Sequence, residues 1–576
     1  MTPMAVRLSP AFRRAAILGA LALLPACAAA HSEKNPVQHQ PAEIAQEISM
    51  GRSGFGNYLA ARHAQGQFAA GEAASFYLHA LESDPENPEL LSRAFVLMAI
   101  EGDMEQAEEL ARRLLTFEDT NSLARLLLAS RAAKAGDWSM AERHVEFLPK
   151  RGLGSFMTPL ISAWARVGAG DYDKALTALQ PLSETSSFAA IHDFHAALIS
   201  DLADQPKVAE DYYRNTVAGT AGLTLRSIRA VGSFYQRTGQ MDKAQALYTR
   251  YQSHNPEAVL FDSARMLAQG SSVERPVADA RQGMAEAFFG AATTMRQSNA
   301  PDMALLFARM ALDLEPNLPL AYLLVGDLLQ GLNRLEEANA AYLAIDPSEE
   351  LWWTTQLRVA GNLNEMGRSD EAIALLRDLA AKDPMRHDAL VSLGEVLRGT
   401  RKFPEAIDAY SEALTRLERI ERHHWPLLYS RGIAYEQSDR WPEAERDFLQ
   451  ALELEPDQPY VLNYLGYSWV ERGVHLDQAK RMIQKAVELR PNDGYIVDSL
   501  GWVLYKTGDY PGAVQYLERA VELRPADPVI NDHFGDALWK VGRTEEARFQ
   551  WRRALSHNPE PDLQAKIEQK LKQGLP

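Results

Sequence analysis

The chain has 576 residues, 46% of them hydrophobic, a single cysteine and a formal net charge of −17. An acidic balance of this size excludes a partner bound by neutralising phosphates. One cysteine excludes a disulfide framework or a paired-cysteine metal site, while the length supplies ample apolar surface for a core.

In chain order, residues 1–26 come first, with Arg7, Arg13 and Arg14, no acid, and the apolar run Ala15 to Leu24. This is the pattern of a secretory signal, too short for a membrane-spanning helix of ~20 apolar residues. Cys27, the lone cysteine, follows Leu24, Pro25 and Ala26 as in a bacterial lipobox, so lipidation at Cys27 and a multi-chain membrane anchor are expected. Ala28 in place of aspartate points, by analogy with bacterial sorting signals, to the outer membrane facing the periplasm. Cleavage after Ala30 is the alternative and would leave a soluble periplasmic protein. Residues 27–47 carry two prolines and little apolar surface, which predicts a flexible tether.

Beyond it, fourteen alanines recur: Ala73, Ala107, Ala141, Ala175, Ala209, Ala244, Ala304, Ala338, Ala372, Ala406, Ala444, Ala479, Ala513 and Ala547. Most steps are 34 residues, the period of tetratricopeptide (TPR) helix pairs. A small residue twelve or thirteen positions earlier, such as Gly501 ahead of Ala513, lets the first helix approach its partner. A proline twelve positions later, as in Pro525, stops the second helix. The prediction is an all-α superhelical solenoid of about fourteen helix-turn-helix units whose first helices line a concave groove.

Departures from the period divide this array. The step from Ala244 to Ala304 is 60 residues and contains Gly270, Ser271, Ser272 and Pro276. It predicts a degenerate N-terminal solenoid over 48–257, a helical joint over 258–283 and a C-terminal solenoid over 284–560. A 38-residue step before Ala444 has its surplus in the charged stretch Leu417 to His424, read as one added helical turn. Residues 561–576 carry Leu563, Ile567 and Leu571 at helical spacing, as a capping helix requires.

No phosphate-binding loop, nucleophile elbow or His-Glu-x-x-His motif occurs, and the repeats leave no room for a catalytic domain. A non-enzymatic chain without cofactor or metal is therefore expected. His192 and His195 share a helix face without a third ligand, and His423 and His424 point apart on a helix. Helical-face counting in the last three repeats gives a candidate partner groove of Tyr460, Asn463, Tyr467, Tyr495, Asp498, Trp502, Tyr505, Asp532, Asp536 and Trp539. Amphipathic aromatics beside carboxylates suit an extended or helical peptide, although Tyr467, Trp502 and Trp539 equally fit as wedges between repeats.

The stretches Leu462 to Tyr467, Asp498 to Trp502, Asn531 to Trp539 and Arg548 to Ala554 resemble a group of large bacterial TPR outer-membrane lipoproteins, the LbcA-like adaptors. That resemblance covers about a fifth of the chain. It implies a scaffold that binds a periplasmic carboxyl-terminal processing protease and presents peptidoglycan hydrolases to it. A structural or assembly component of an envelope export or outer-membrane biogenesis machine is the alternative expectation.

Overall fold

A computed structural model describes residues 53–67, 69–185, 187–219, 222–255, 263–268 and 270–575. The signal, Cys27 and the expected tether lie outside them. The described residues form thirty helices and no strand, and none of these helices is long and apolar enough to cross a membrane. The chain packs as two compact units that meet in sequence between Asn362 and Leu363.

In the first unit the hairpins are α1/α2 (Gly54–Gly66, Ala70–Ser83), α3/α4 (Pro88–Glu101, Met104–Leu114), α5/α6 (Ser122–Lys134, Trp138–Glu146) and α7/α8 (Leu153–Gly168, Tyr172–Ser183). They continue as α9/α10 (Ala189–Leu202, Pro206–Thr216), α11/α12 (Leu225–Arg237, Met241–His254), the short α13 (Ser263–Ala268), α14/α15 (Ala280–Gln297, Pro301–Leu314) and α16/α17 (Pro319–Gly331, Leu335–Leu343). Helix α18 (Trp352–Glu365) runs across the division between the units. The second unit then holds α19 (Ser369–Lys382), α20/α21 (Asp388–Gly399, Phe403–Thr415), α22/α23 (Trp425–Gln437, Trp441–Leu454) and α24/α25 (Pro459–Arg472, Leu476–Leu489). It ends with α26/α27 (Gly494–Lys506, Tyr510–Leu523), α28/α29 (Pro528–Lys540, Thr544–Ser556) and α30 (Pro561–Gln573).

All fourteen landmark alanines sit on the second helix of a hairpin and are completely buried, because the two helices cross where only a methyl fits. In seven repeats the facing residue is glycine. At Gly326 an added Cβ would lie 2.2 Å from the Tyr342 ring, and at Gly535 it would lie 2.5 Å from Trp551. The second helices end just ahead of Pro85, Pro316, Pro384, Pro456, Pro491 and Pro525, since the residue before a proline is driven out of the α region. One further periodic feature joins the two helices: a residue with left-handed backbone, five or six positions before the landmark. Glycine fills it at Gly102, Gly136, Gly170 and Gly508 among others, and Asp204, Asn299, Asn333, Arg401 and Asp439 adopt it elsewhere.

One expectation is corrected. The surplus at residues 417–424 is not an added helical turn: α21 ends at Thr415, an irregular loop follows, and only Arg422–His424 forms a 3-10 turn. The two compact units divide after residue 362, and the stretch expected as a joint, 258–283, lies partly outside the described residues. The hairpin after it, α14/α15, folds back onto the first helices of the early repeats, packing on α3, α5 and α7. Trp164 of α7 lies against Gly283 of α14, whose Cβ would be 2.1 Å from the indole. Asp313 of α15 takes Arg131 and Lys134 of α5 at 3.0 and 2.7 Å, and Arg334 reaches Glu101 at 2.7 Å. The face that a simple solenoid would leave open is thus filled by a later repeat. In the second unit one continuous core runs from Trp425 to Ile567, as stacked hairpins require.

Candidate functional site

The ten residues expected to line a groove in the last three repeats are all buried or half-buried. Asn463, Tyr467, Asp498, Asp532 and Asp536 are buried, while Tyr460, Tyr495, Trp502, Tyr505 and Trp539 are half-buried. Tyr460 and Tyr495 lie under the guanidiniums of Arg490 and Arg524, at 5.7 and 5.1 Å. Asp498 holds His533 Nδ1 at 3.0 Å. Trp502 stacks on His533 with ring centroids 3.9 Å apart, stacks on Tyr505 at 4.9 Å, and donates its indole N–H to Glu471 at 2.7 Å.

In the last repeat, Asp532, Asp536 and Trp539 are covered by α30 and the residues after it. Lys570 of α30 donates to Asp532 at 2.8 Å and to Asp536 at 2.7 Å. Trp539 Nε1 donates to the Leu575 carbonyl at 3.0 Å, and Trp551 Nε1 to Asp536 at 3.0 Å. Burial pushes the Asp536 carboxyl up to about 6, with Asp532 adding to the rise and Lys570 opposing it. Burial would lower the His533 imidazole, but the Asp498 carboxylate outweighs it and leaves the ring above its ordinary value. These acids are buried because each has a cationic partner.

The first unit holds a cavity of about 600 Å³ where the first helices of five repeats, α9, α11, α14, α16 and α18, converge. Its walls are apolar at Ile191, Phe194, Phe289 and Leu323. On one side Arg226 closes on Glu286, with Nε to Oε2 at 2.8 Å. At another, Asp327 is shared by Arg358, by Arg296 at 3.7 Å and by the Tyr342 hydroxyl at 2.9 Å. His195 completes the wall. Trp164 Nε1 donates to its Nδ1 at 3.0 Å, and burial, helped by Arg226 and His192, lowers its pKa to about 3, so the ring is neutral.

A tetratricopeptide repeat family model matches residues 363–419 and 474–528, and a second matches 425–458. These matches fall on hairpins of the 34-residue period already seen. The chain carries tetratricopeptide repeats there, within an all-helical repeat fold. It is similar to a TPR repeat-containing protein of Pseudomonas aeruginosa, 26% identical over 205 residues that make up 34% of this chain and 33% of the relative. The match thus spans about a third of that relative's length. Among solved structures, the APC/C hetero-tetramer Cut9-Hcn1 aligns at 15% identity and TM-score 0.39, over 92% of this chain and 98% of the other. Pseudomonas aeruginosa pilF aligns at 21% identity and TM-score 0.32, over 41% and 99%.

TPR inner-face residues at 189–358 escaped the sequence reading, since their convergence depends on α14/α15 folding back. One local signal was present: α14 carries Gly283, Ala285, Ala287, Ala291 and Ala292, a helix shaped for close packing on more than one side. Among the described residues no group of three or more His, Cys, Asp or Glu is placed to hold a metal ion. His423 and His424 do not diverge as expected on a helix. They share the 3-10 turn with rings 3.9 Å apart, and His387 lies 5.9 Å from His424.

Proposed function

We propose that this TPR chain is a membrane-tethered, non-enzymatic adaptor in a bacterial periplasm, which brings a protease or a cell-wall enzyme to its client. TPR stacks serve as protein-binding scaffolds, and the observation that carries the reading is the open cavity formed where five first helices meet. Around it the charged side chains described above are taken up by partners within the fold, which leaves shape and rim charge to do the work of recognition. The tether reading rests on the sequence of residues 1–47, and the class of partner on the resemblance to adaptor lipoproteins. Holding a protease and its client on one anchored chain raises their local concentration without any new contact.

Affinity purification from a periplasmic extract with the Cys27→Ser full chain tests this. Enrichment of a processing protease together with peptidoglycan hydrolases is expected. Recovery of neither, or recovery only of export-machine subunits, overturns it.

A further inference from the structure

The first-unit cavity also states what kind of segment it takes. Its mouth carries two guanidiniums against one carboxylate: Arg296 and Arg358, side chains half and one third exposed, share Asp327. Arg226 and Glu286 cancel each other. The site is therefore locally cationic in a chain whose net charge is −17, so the excess is a property of this place and not of the protein at large. Inside the mouth the walls are apolar at Phe194, Phe289 and Leu323. His195 adds one fixed donor: its Nδ1 is occupied by Trp164, so the neutral ring carries its proton on Nε2.

We propose that this cavity binds a peptide segment in which an Asp or Glu side chain stands beside large apolar side chains, the carboxylate meeting Arg296 and Arg358 and the apolar groups filling the cavity. The volume of about 600 Å³ lies in the range of sites that bury most of a ligand, roughly 300 to 1,000 Å³. The cations stand at the exposed rim and not at a closed end. That placement fits the side chain of a segment running through the groove, with a backbone carbonyl of the same segment accepting from His195. The inference rests on the chain being a protein binder, and it adds the chemistry of the bound segment.

The test uses the Cys27→Ser full chain and a random library of ten-residue peptides, amide-capped so that no free carboxyl terminus is present. Enriched peptides are expected to pair an Asp or Glu with Phe, Leu or Ile. In fluorescence titrations, changing that acid to its amide weakens binding about 3- to 5-fold, the scale of a rim ion pair, and ~500 mM salt in place of ~50 mM does the same. Arg296→Ala, at an exposed side chain that leaves the fold intact, removes the preference for acid over amide. Phe289→Ala weakens both peptides at least ~10-fold, as expected when an anchor pocket is emptied.

Enrichment without acids, binding untouched by Arg296→Ala and Phe289→Ala, or no enrichment at all overturns the proposal. So does tighter binding of a medium-chain fatty acid than of the selected peptides. The extract purification reads the adaptor role independently: selected peptides without protease capture would sink that role and leave the cavity's chemistry standing.

Discussion

Replacing Lys570 with methionine should loosen the carboxyl-terminal end of the chain, and far more at about pH 8 than at about pH 5. Lys570 places its ammonium between Asp532 and Asp536, whose side chains are each 6% exposed. Its removal leaves two buried carboxylates side by side, with the Trp551 indole still bonded to Asp536. Stripping one partner from a buried ionic cluster costs about 3 to 5 kcal/mol. Protonating Asp536 relieves part of that cost, and its carboxyl is already pushed up to about 6. With each pKa unit worth about 1.4 kcal/mol, the loss should be on the order of 1 kcal/mol near pH 5 and about 3 kcal/mol near pH 8.

The wild type carries the same sign. An acid held above its unfolded value costs stability once it must ionise, so this contribution falls as pH climbs from the ordinary Asp value of 3.8 through about 6. His533, held above its ordinary 6.5, contributes stability that is fully present below that value and lost as pH rises through its raised one. Both terms make α28 to α30 tighter in mild acid. Stacked repeats do not open in one step, so the readout is hydrogen exchange of amides in α28 to α30, corrected for intrinsic rates. A triple variant, Lys570→Met with Asp532→Asn and Asp536→Asn, should return to within about 1 kcal/mol of wild type. Equal protection of Lys570→Met and wild type near pH 8, or a loss independent of pH, would refute the reasoning.

Gly326→Ala should cost about 2 kcal/mol in urea unfolding, because its new Cβ meets a Tyr342 ring pinned by Asp327 and Gln330. Gly361→Ala, a helix position with open space around it, should instead gain about 0.5 to 1 kcal/mol. Arg401→Gly should stabilise by about 1 kcal/mol, since exposed Arg401 adopts φ 63° at the turn where sister repeats use glycine; an unchanged melting temperature would count against that account. Cys27→Ser should move the chain from the membrane to the soluble fraction on cell fractionation, and a variant that stayed with the membrane would refute the lipid anchor.

Much of the architecture was legible because it repeats. An alanine is forced wherever two helices cross, so Ala73 through Ala547 mark the hairpins, and Pro85 through Pro525 mark where second helices stop. The left-handed turn residue has the same period, yet Asp204, Asn299, Asn333, Arg401 and Asp439 break the run of glycines and hide it from inspection. The groove residues lie on the first helices of their repeats. The covering of Asp532 and Asp536 was not legible, because Lys570 meets them through a pairing seen in no other described repeat. Periodicity describes what every unit does, whereas binding and capping depend on what one unit does alone.

The uneven match of the chain to the repeat pattern follows from the same packing. A first helix in a regular stack buries one side on its neighbours and leaves the other toward solvent, which preserves an amphipathic pattern. Helix α7 instead lies between its own repeat and the returning α14. It is buried nearly all round, from Phe156, Met157, Leu160 and Ile161 through Trp164 and Val167. Its sequence is therefore apolar on every side, and Trp164 fills the space opposite Gly283 that a consensus residue would leave empty. Helices α3 and α5 meet α15 in the same way, through Ile100, Arg131 and Lys134. The early repeats depart from consensus because their inner faces have become an internal interface. It is after residue 362, where hairpins stack only on sequence neighbours, that the recognisable pattern returns.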